Sequence, residues 1–123
     1  MPRYRSRESG PPKRVLYRKH TRGKLYQIGI ASYYGKDFHG KPTASGETFD
    51  MYGLTAAHRD LKLGTLIRVT NLGNSKWVIV RVNDRGPFVE GRILDLSLGA
   101  ARELDMITRG TAKVKIEILS ELR

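Results

Sequence analysis

Cysteine is absent from this sequence, so neither a disulfide framework nor a thiolate nucleophile is available to it. Long apolar runs are absent too: no stretch approaches the roughly 20 residues of a membrane-spanning helix. The N-terminus is basic but lacks the apolar core of a signal peptide. The chain is therefore expected either in the cytosol or in a compartment reached through a targeting segment outside these residues. Histidine is scarce, and His20, His39 and His58 do not have the spacing of a zinc site. The glycines form neither a phosphate loop nor a dinucleotide fingerprint. Ser45 lacks the flanking glycines of a nucleophile elbow. No metal and no cofactor are expected.

What is present suits one folded domain. With 123 residues and 39% hydrophobic content, the chain can bury one modest core. Its 13 glycines and 5 prolines imply many turns. The net charge of +11 is unevenly spread. Residues 1–24 hold nine Lys/Arg against the single acid Glu8, a net +8, whereas residues 25–123 hold 14 against 11, a net +3. The first stretch also contains Gly10-Pro11-Pro12 and no sustained periodicity, the composition of a leader or linker. Such a segment buries too little to order itself, so a flexible basic N-terminal segment at 1–24 is expected ahead of a domain at 25–123. Nucleic acid, anionic lipid or an acidic polymer could each attract it, and charge alone does not choose. Nucleic acid is not the expected partner, because recognition helices and RNA-binding signatures are lacking.

Order is expected to begin near Gln27. Ile28 to Tyr34 mixes β-branched, small and aromatic residues and stops at Gly35, as a strand does. Leu54 to His58 is a short turn or strand, and Leu66 to Thr70 is a strand closed by the turn Asn71-Leu72-Gly73-Asn74. Lys76 to Asn83 gives the clearest alternation, with Val78, Val80 and Val82 opposite Ile79, Arg81 and Asn83. Ile93-Leu94-Asp95 is a brief buried strand. Ser97 to about Asp105 is the one expected helix, with Leu96, Ala100 and Leu104 on one face and Asp95 or Ser97 as its cap. Thr111 to Leu119 alternates as a final strand. Six short strands and one short helix predict a small, mainly β barrel. Gly64-Thr65 and Gly110-Thr111 each open an alternating strand, a hint of two similar halves.

Polar groups concentrate in three loops: Thr43-Ala44-Ser45-Gly46-Glu47, Thr55-Ala56-Ala57-His58 and Asn83-Asp84-Arg85-Gly86-Pro87. Loops on a rigid scaffold commonly carry function. A carboxylate ending a buried strand, with a second carboxylate and a histidine nearby, is an acid/base set. Asp-Arg-Gly-Pro is equally an ordinary way to end a strand, Asp84 pairing with Arg85. Tyr33, Tyr34, Phe49, Tyr52 and Phe88 serve either as core or as faces on which sugar rings stack.

Five stretches occur in order: Gly29 to Gly35, Phe38 to Glu47, Leu54 to Arg59, Val82 to Phe88 and Ile93 to Ser97. Together they resemble the rare lipoprotein A family over about Gln27 to Leu119; the basic leader lies outside the match. The resemblance implies a six-stranded double-psi β-barrel, the fold of expansins and barwin-like proteins. It also implies a bacterial envelope location, periplasmic or outer-membrane associated, and peptidoglycan glycan strands as ligand. Active members of the family are lytic transglycosylases that cleave MurNAc–GlcNAc bonds, preferring strands stripped of stem peptides. Residue by residue, the family's active-site Glu, His and Asp fall on Glu47, His58 and Asp84. Asp95 matches an acidic position that related barrels place in the same groove. Ser45, Asn83, Arg85 and Tyr34 are the further residues expected to bind substrate. The family's lipid-anchor cysteine and C-terminal peptidoglycan-binding repeat domain have no counterpart within this sequence, and neither anchoring nor septal targeting is inferred.

The resemblance implies a role for each group. Asp84 acts as general acid and then base, Glu47 stabilises charge or orients the sugar, and His58 hydrogen-bonds one of the carboxylates. A monomer is expected, with envelope or division proteins as candidate further partners. The competing expectation is a barrel that binds glycan strands without cutting them, as expansin-like barrels do.

Overall fold

The computed structural model describes residues 23–120. The leader expected at 1–24 falls outside the described residues as far as residue 22. Six strands form: β1 (Lys24–Tyr33), β2 (Thr55–Ala57), β3 (Leu66–Asn71), β4 (Trp77–Asp84), β5 (Arg92–Leu96) and β6 (Thr111–Ser120). The helix α1 (Leu98–Glu103) lies between β5 and β6. The strands close into a barrel in the order β1-β5-β2-β4-β3-β6, so closure leaves no exposed sheet edge of the usual kind. Order in β1 starts at Lys24, three residues before the hydrophobic pattern at Gln27 suggested.

Alternation decides which side chains enter the barrel. Ile67 and Val69 of β3, Val78, Val80 and Val82 of β4, and Val114 and Ile116 of β6 point inward and are buried. Burying each such side chain contributes about 1.5–3 kcal/mol. Leu94 and Leu96 of β5 join them, and Ala100, Ala101 and Leu104 from α1 complete the core. Ser97 caps α1: its Oγ accepts the Ala100 N–H at 3.2 Å and donates to the Gly53 carbonyl at 2.6 Å. Helix and β2 approach are thereby tied together. Gly99 makes the contact possible, because a Cβ there would lie 2.6 Å from the Tyr52 carbonyl oxygen. Asp95, the alternative cap, sits instead within β5. The two Gly-Thr strands, β3 and β6, are antiparallel neighbours.

Pairing is regular in the β3–β4 hairpin, whereas β1–β6 and β3–β6 each carry one register shift. The β3–β4 hairpin runs without a shift from Leu66↔Arg81 to Thr70↔Trp77. The two parallel pairs each carry one irregularity. Between β1 and β5, Ile30 pairs with Arg92 but Ala31 pairs with Leu94, making Ile93 the extra residue. Between β2 and β4, Ala56 pairs with Val82 but Ala57 pairs with Asp84, making Asn83 the extra residue. A bulge of this kind re-aims the residues after it. By simple alternation Asp84 would follow Val82 into the core; the extra Asn83 turns it to the outer face with Ala57.

Candidate active site

The outer face of β1-β5-β2-β4 carries the polar groups. Its register lines up Ser32, Asp95, Ala57 and Asp84 across four consecutive strands. Ala57 is 3% exposed yet stands outside the core cluster, as a residue of this outer floor should. Two carboxylates thus flank one methyl group, with a single strand between them. The loop after β1 folds over one end of this floor. Phe49 of that loop is buried and stacks on Tyr34, with ring centroids 4.6 Å apart.

Asp84 is held through one oxygen. Its Oδ1 accepts the main-chain N–H of Ala44 at 3.0 Å and of Arg85 at 2.9 Å. Its Oδ2 has no hydrogen-bond partner among the described residues. The carboxylate is therefore oriented by the backbone while one oxygen stays open to a ligand.

Glu47 has a different environment. Arg81 grips both of its carboxylate oxygens, Nη2 reaching Oε1 at 2.8 Å and Nη1 bonding Oε2. Ser45 Oγ donates to Oε2 at 3.1 Å. The Arg81 hydrogen bonds, reinforced by those of Ser45 and by the guanidinium charge, hold the Glu47 carboxyl below its usual range. A carboxylate so fixed is an anion at neutral pH and a poor proton donor. Its contact does mechanical work on the loop. Gly46, at φ +90°, makes the tight turn that only glycine adopts freely. The Ser45 N–H bonds the Asn83 carbonyl at 3.1 Å. The Arg81–Glu47 pair thus fastens to β4 the same loop whose Ala44 N–H orients Asp84.

His58 corrects an expectation. It was expected to hydrogen-bond a carboxylate, but its ring bonds none. Nδ1 accepts the N–H groups of Asp60 at 2.9 Å and Leu61 at 3.1 Å, while Nε2 bonds Gln27 Oε1 at 2.8 Å. Two donors on Nδ1 require its lone pair, so the proton sits on Nε2 and is donated to Gln27. Burial lowers its pKa, and Arg59 and Arg85 add to that effect against the opposing Asp60. The residue reaches the site through its backbone: the His58 N–H donates to the Asp84 carbonyl at 3.1 Å.

The remaining expected residues divide. Ser45 attaches to Glu47 through its hydroxyl and to Asn83 through its N–H, as above. Asp95 Oδ1 takes the Ser32 hydroxyl, and Arg92 Nε stands 4.0 Å away. The Arg85 guanidinium turns from the floor to the carbonyls of His58, at 3.0 Å, and Leu61, tying down the loop after β2. Tyr34 Oη is buried and has no hydrogen-bond partner among the described residues. Burial and then the charges of Asp84 and Asp95 raise its pKa well above the usual phenol value. Arg81, Ser32 and Gln27 were not singled out from the sequence as site residues. Strict alternation put Arg81 opposite the valines, but not which carboxylate it would meet. No cluster of side chains suited to a metal ion occurs among the described residues. No helix there is long and apolar enough to cross a membrane.

Comparison with known proteins agrees with this architecture. The model of the lytic transglycolase family matches residues 26–116. The endolytic peptidoglycan transglycosylase RlpA of Campylobacter jejuni is 58% identical over 91 residues, 74% of this chain and 33% of that protein. Its counterpart in Pseudomonas aeruginosa is 59% identical over 90 residues, 73% of this chain and 26% of that protein. The chain spans about a third or less of the length of these two curated relatives. Among solved structures, the Streptomyces papain inhibitor superposes with a TM-score of 0.63 at 21% identity, covering 78% of this chain and 97% of that one. That likeness is one of fold.

Proposed function

This chain belongs to the RlpA-like lytic transglycolase family of double-psi β-barrels, and from that premise we propose that it cleaves MurNAc–GlcNAc bonds of peptidoglycan glycan strands, leaving 1,6-anhydro-MurNAc ends. The observation that carries the reading is the half-open carboxylate of Asp84, anchored through Oδ1 by two main-chain N–H groups and unpartnered at Oδ2. Protonated Asp84 gives its proton to the glycosidic oxygen as the C1–O bond breaks and positive charge develops at C1. The resulting carboxylate then takes the proton of the MurNAc C6 hydroxyl, whose oxygen bonds to C1 and closes the anhydro ring. No water is consumed. One acid/base group suffices because the nucleophile belongs to the substrate, unlike the paired carboxylates of ordinary glycosidases.

Glu47, clamped by Arg81, is assigned the positioning of the Ser45 loop. His58 supports the end of β4 through its backbone. Asp95, Ser45, Asn83 and Tyr34 are assigned to the glycan. Arg85 is assigned to the frame of the site, given its main-chain partners. Peptide-stripped strands are the preferred substrate, and the cell envelope is where they occur.

The test is digestion of purified, peptide-stripped strands by wild type and Asp84→Asn, with mass spectrometry of the soluble products. Wild type should release anhydro ends, and D84N should lose about 100-fold or more of that rate, as removal of a general acid/base does. Reducing ends would mean hydrolysis. Strand binding by a folded wild type that yields no product would overturn the enzyme and leave a glycan-binding barrel.

A further inference from the structure

The floor carries polar atoms that the fold leaves unmet. Tyr34 Oη, Thr55 Oγ1 and Asn83 Oδ1 are buried and have no hydrogen-bond partner among the described residues. A buried polar atom left so is destabilising, and native proteins tolerate few of them without a reason. These three belong to one neighbourhood. Tyr34 directly follows β1, Thr55 stands opposite Arg81, and Asn83 is the extra residue before Asp84.

Tyr34 is the most sharply placed of them. Its ring is fixed by the stack on Phe49 and by an edge contact with Phe38 at 5.4 Å, so the hydroxyl is not free to swing to another partner. The charges of both Asp84 and Asp95 are felt there, and the hydroxyl keeps its proton throughout the physiological range. Alternation from Ser32, the register partner of Asp95, puts this neutral donor on the outer face that carries both carboxylates. Asp84 and Asp95 each have Oδ1 engaged, by Ala44 and Arg85 in one case and by Ser32 in the other. Their Oδ2 atoms have no partner among the described residues. A group that fits this set must both donate to a carboxylate and accept from a phenol. An alcohol does both. An amide carbonyl or an ether oxygen answers only the phenol, and an ammonium only the carboxylates.

Resting on the glycan reading above, we infer that Tyr34 contacts substrate, its hydroxyl and the Asp95 carboxylate together holding one hydroxyl group of the glycan strand beside Asp84. Asp84 is left to move protons, and the Tyr34–Asp95 pair sets where the sugar lies.

Tyr34→Phe removes one oxygen and keeps the aromatic stack, so it isolates the claim. The free variant should melt at the wild-type temperature or slightly above it, because the lost oxygen had no partner. Its affinity for peptide-stripped strands should fall about two- to tenfold, the value of one hydrogen bond. The double variant Y34F/D95N should bind no more weakly than the worse single variant, since both side chains hold the same group. A melting temperature several degrees lower would mean that the hydroxyl is used inside the protein. Undiminished strand binding by Y34F, or fully additive losses in the double variant, would overturn the proposal alone. A wild type that retains no strands would instead overturn the glycan reading and this pair with it.

Discussion

Leu94 and Asp95 are neighbours in β5 and belong to different worlds. Leu94 faces inward, fully buried among Ala31, Val82 and other hydrocarbon side chains. Asp95 faces outward toward Ser32 and Arg92 on the polar floor. The inner side follows strict alternation and fills its space. The outer side collects carboxylates and orphaned polar atoms, and the bulges of the two parallel pairs adjoin it. The carboxylate to which we assign the chemistry sits where the register breaks: the extra Asn83 sets Asp84 on the floor instead of in the core. A regular ladder such as β3–β4 offers no comparable opportunity, because every residue is already committed to a face.

If the two faces divide the labour in this way, variants should separate cleanly into losses of stability and losses of chemistry. The largest effect on stability is expected from Leu94→Ala. It leaves a cavity in the closed barrel and should cost about 2–5 kcal/mol. Urea unfolding should show a lower midpoint with an unchanged slope. The fraction still folded should turn over strands at the wild-type rate. A slower rate per folded molecule would show that the core and the floor are coupled through β5, and the contrast between faces would fail.

Glu47→Gln tests the outer side with a smaller change. The Arg81–Glu47 pair is about two-fifths exposed, so solvent screens it and stability should change by less than about 1 kcal/mol. The amide cannot take a bidentate charge-assisted grip, so the Ser45 loop and its Ala44 N–H should hold Asp84 less firmly. A fall of roughly tenfold in kcat with strand affinity retained is expected, from one charge-assisted hydrogen bond. Unchanged kcat would mean that the main-chain bonds of the loop, Thr43 to Glu47 and Ser45 to Asn83, are enough by themselves.

Much of this division was legible in the sequence, and for physical reasons. The valines of β4 and the alternation of β6 mark an inner face because burial acts on every second residue. Ser97 is readable as a helix cap by its residue type and place. The polar loops stood out as loops, and the family resemblance pointed to Glu47, His58 and Asp84. What alternation cannot show is a bulge, since one extra residue leaves no compositional trace. Nor does it show partners across the barrel. Gln27 is 31 residues from His58 and Arg81 is 34 from Glu47; only the closed strand order brings them together. The expected bond from His58 to a carboxylate failed because Gln27 takes Nε2 from across the barrel and local backbone takes Nδ1. The backbone N–H groups of Asp60 and Leu61, two and three residues along, claimed Nδ1 first.

That local claim gives the smallest effect, and a pH signature. His58 is neutral and buried, with its pKa below the usual 6.5. In the unfolded chain it takes a proton near that value, whereas the folded protein resists the proton to lower pH. Stability from this group is therefore fully present above about 6.5 and declines as pH falls toward the lowered folded value. Glu47 acts in the same direction but in a lower window. Its contribution is complete above the usual 4.5 and fades as pH falls through its lowered folded value. Melting temperatures of wild type and His58→Gln between pH 8 and pH 5 keep the two apart. The wild type should lose stability below about 6.5, and the variant, less stable at pH 8, should show a flatter profile over that range. Equal slopes would mean that the ring takes a proton as readily in the folded protein as in the unfolded chain, releasing the Asp60 and Leu61 N–H groups from Nδ1 without cost. His58 would then be free to face the floor as a titrating group, and the boundary between the two faces would run through its side chain instead of past it.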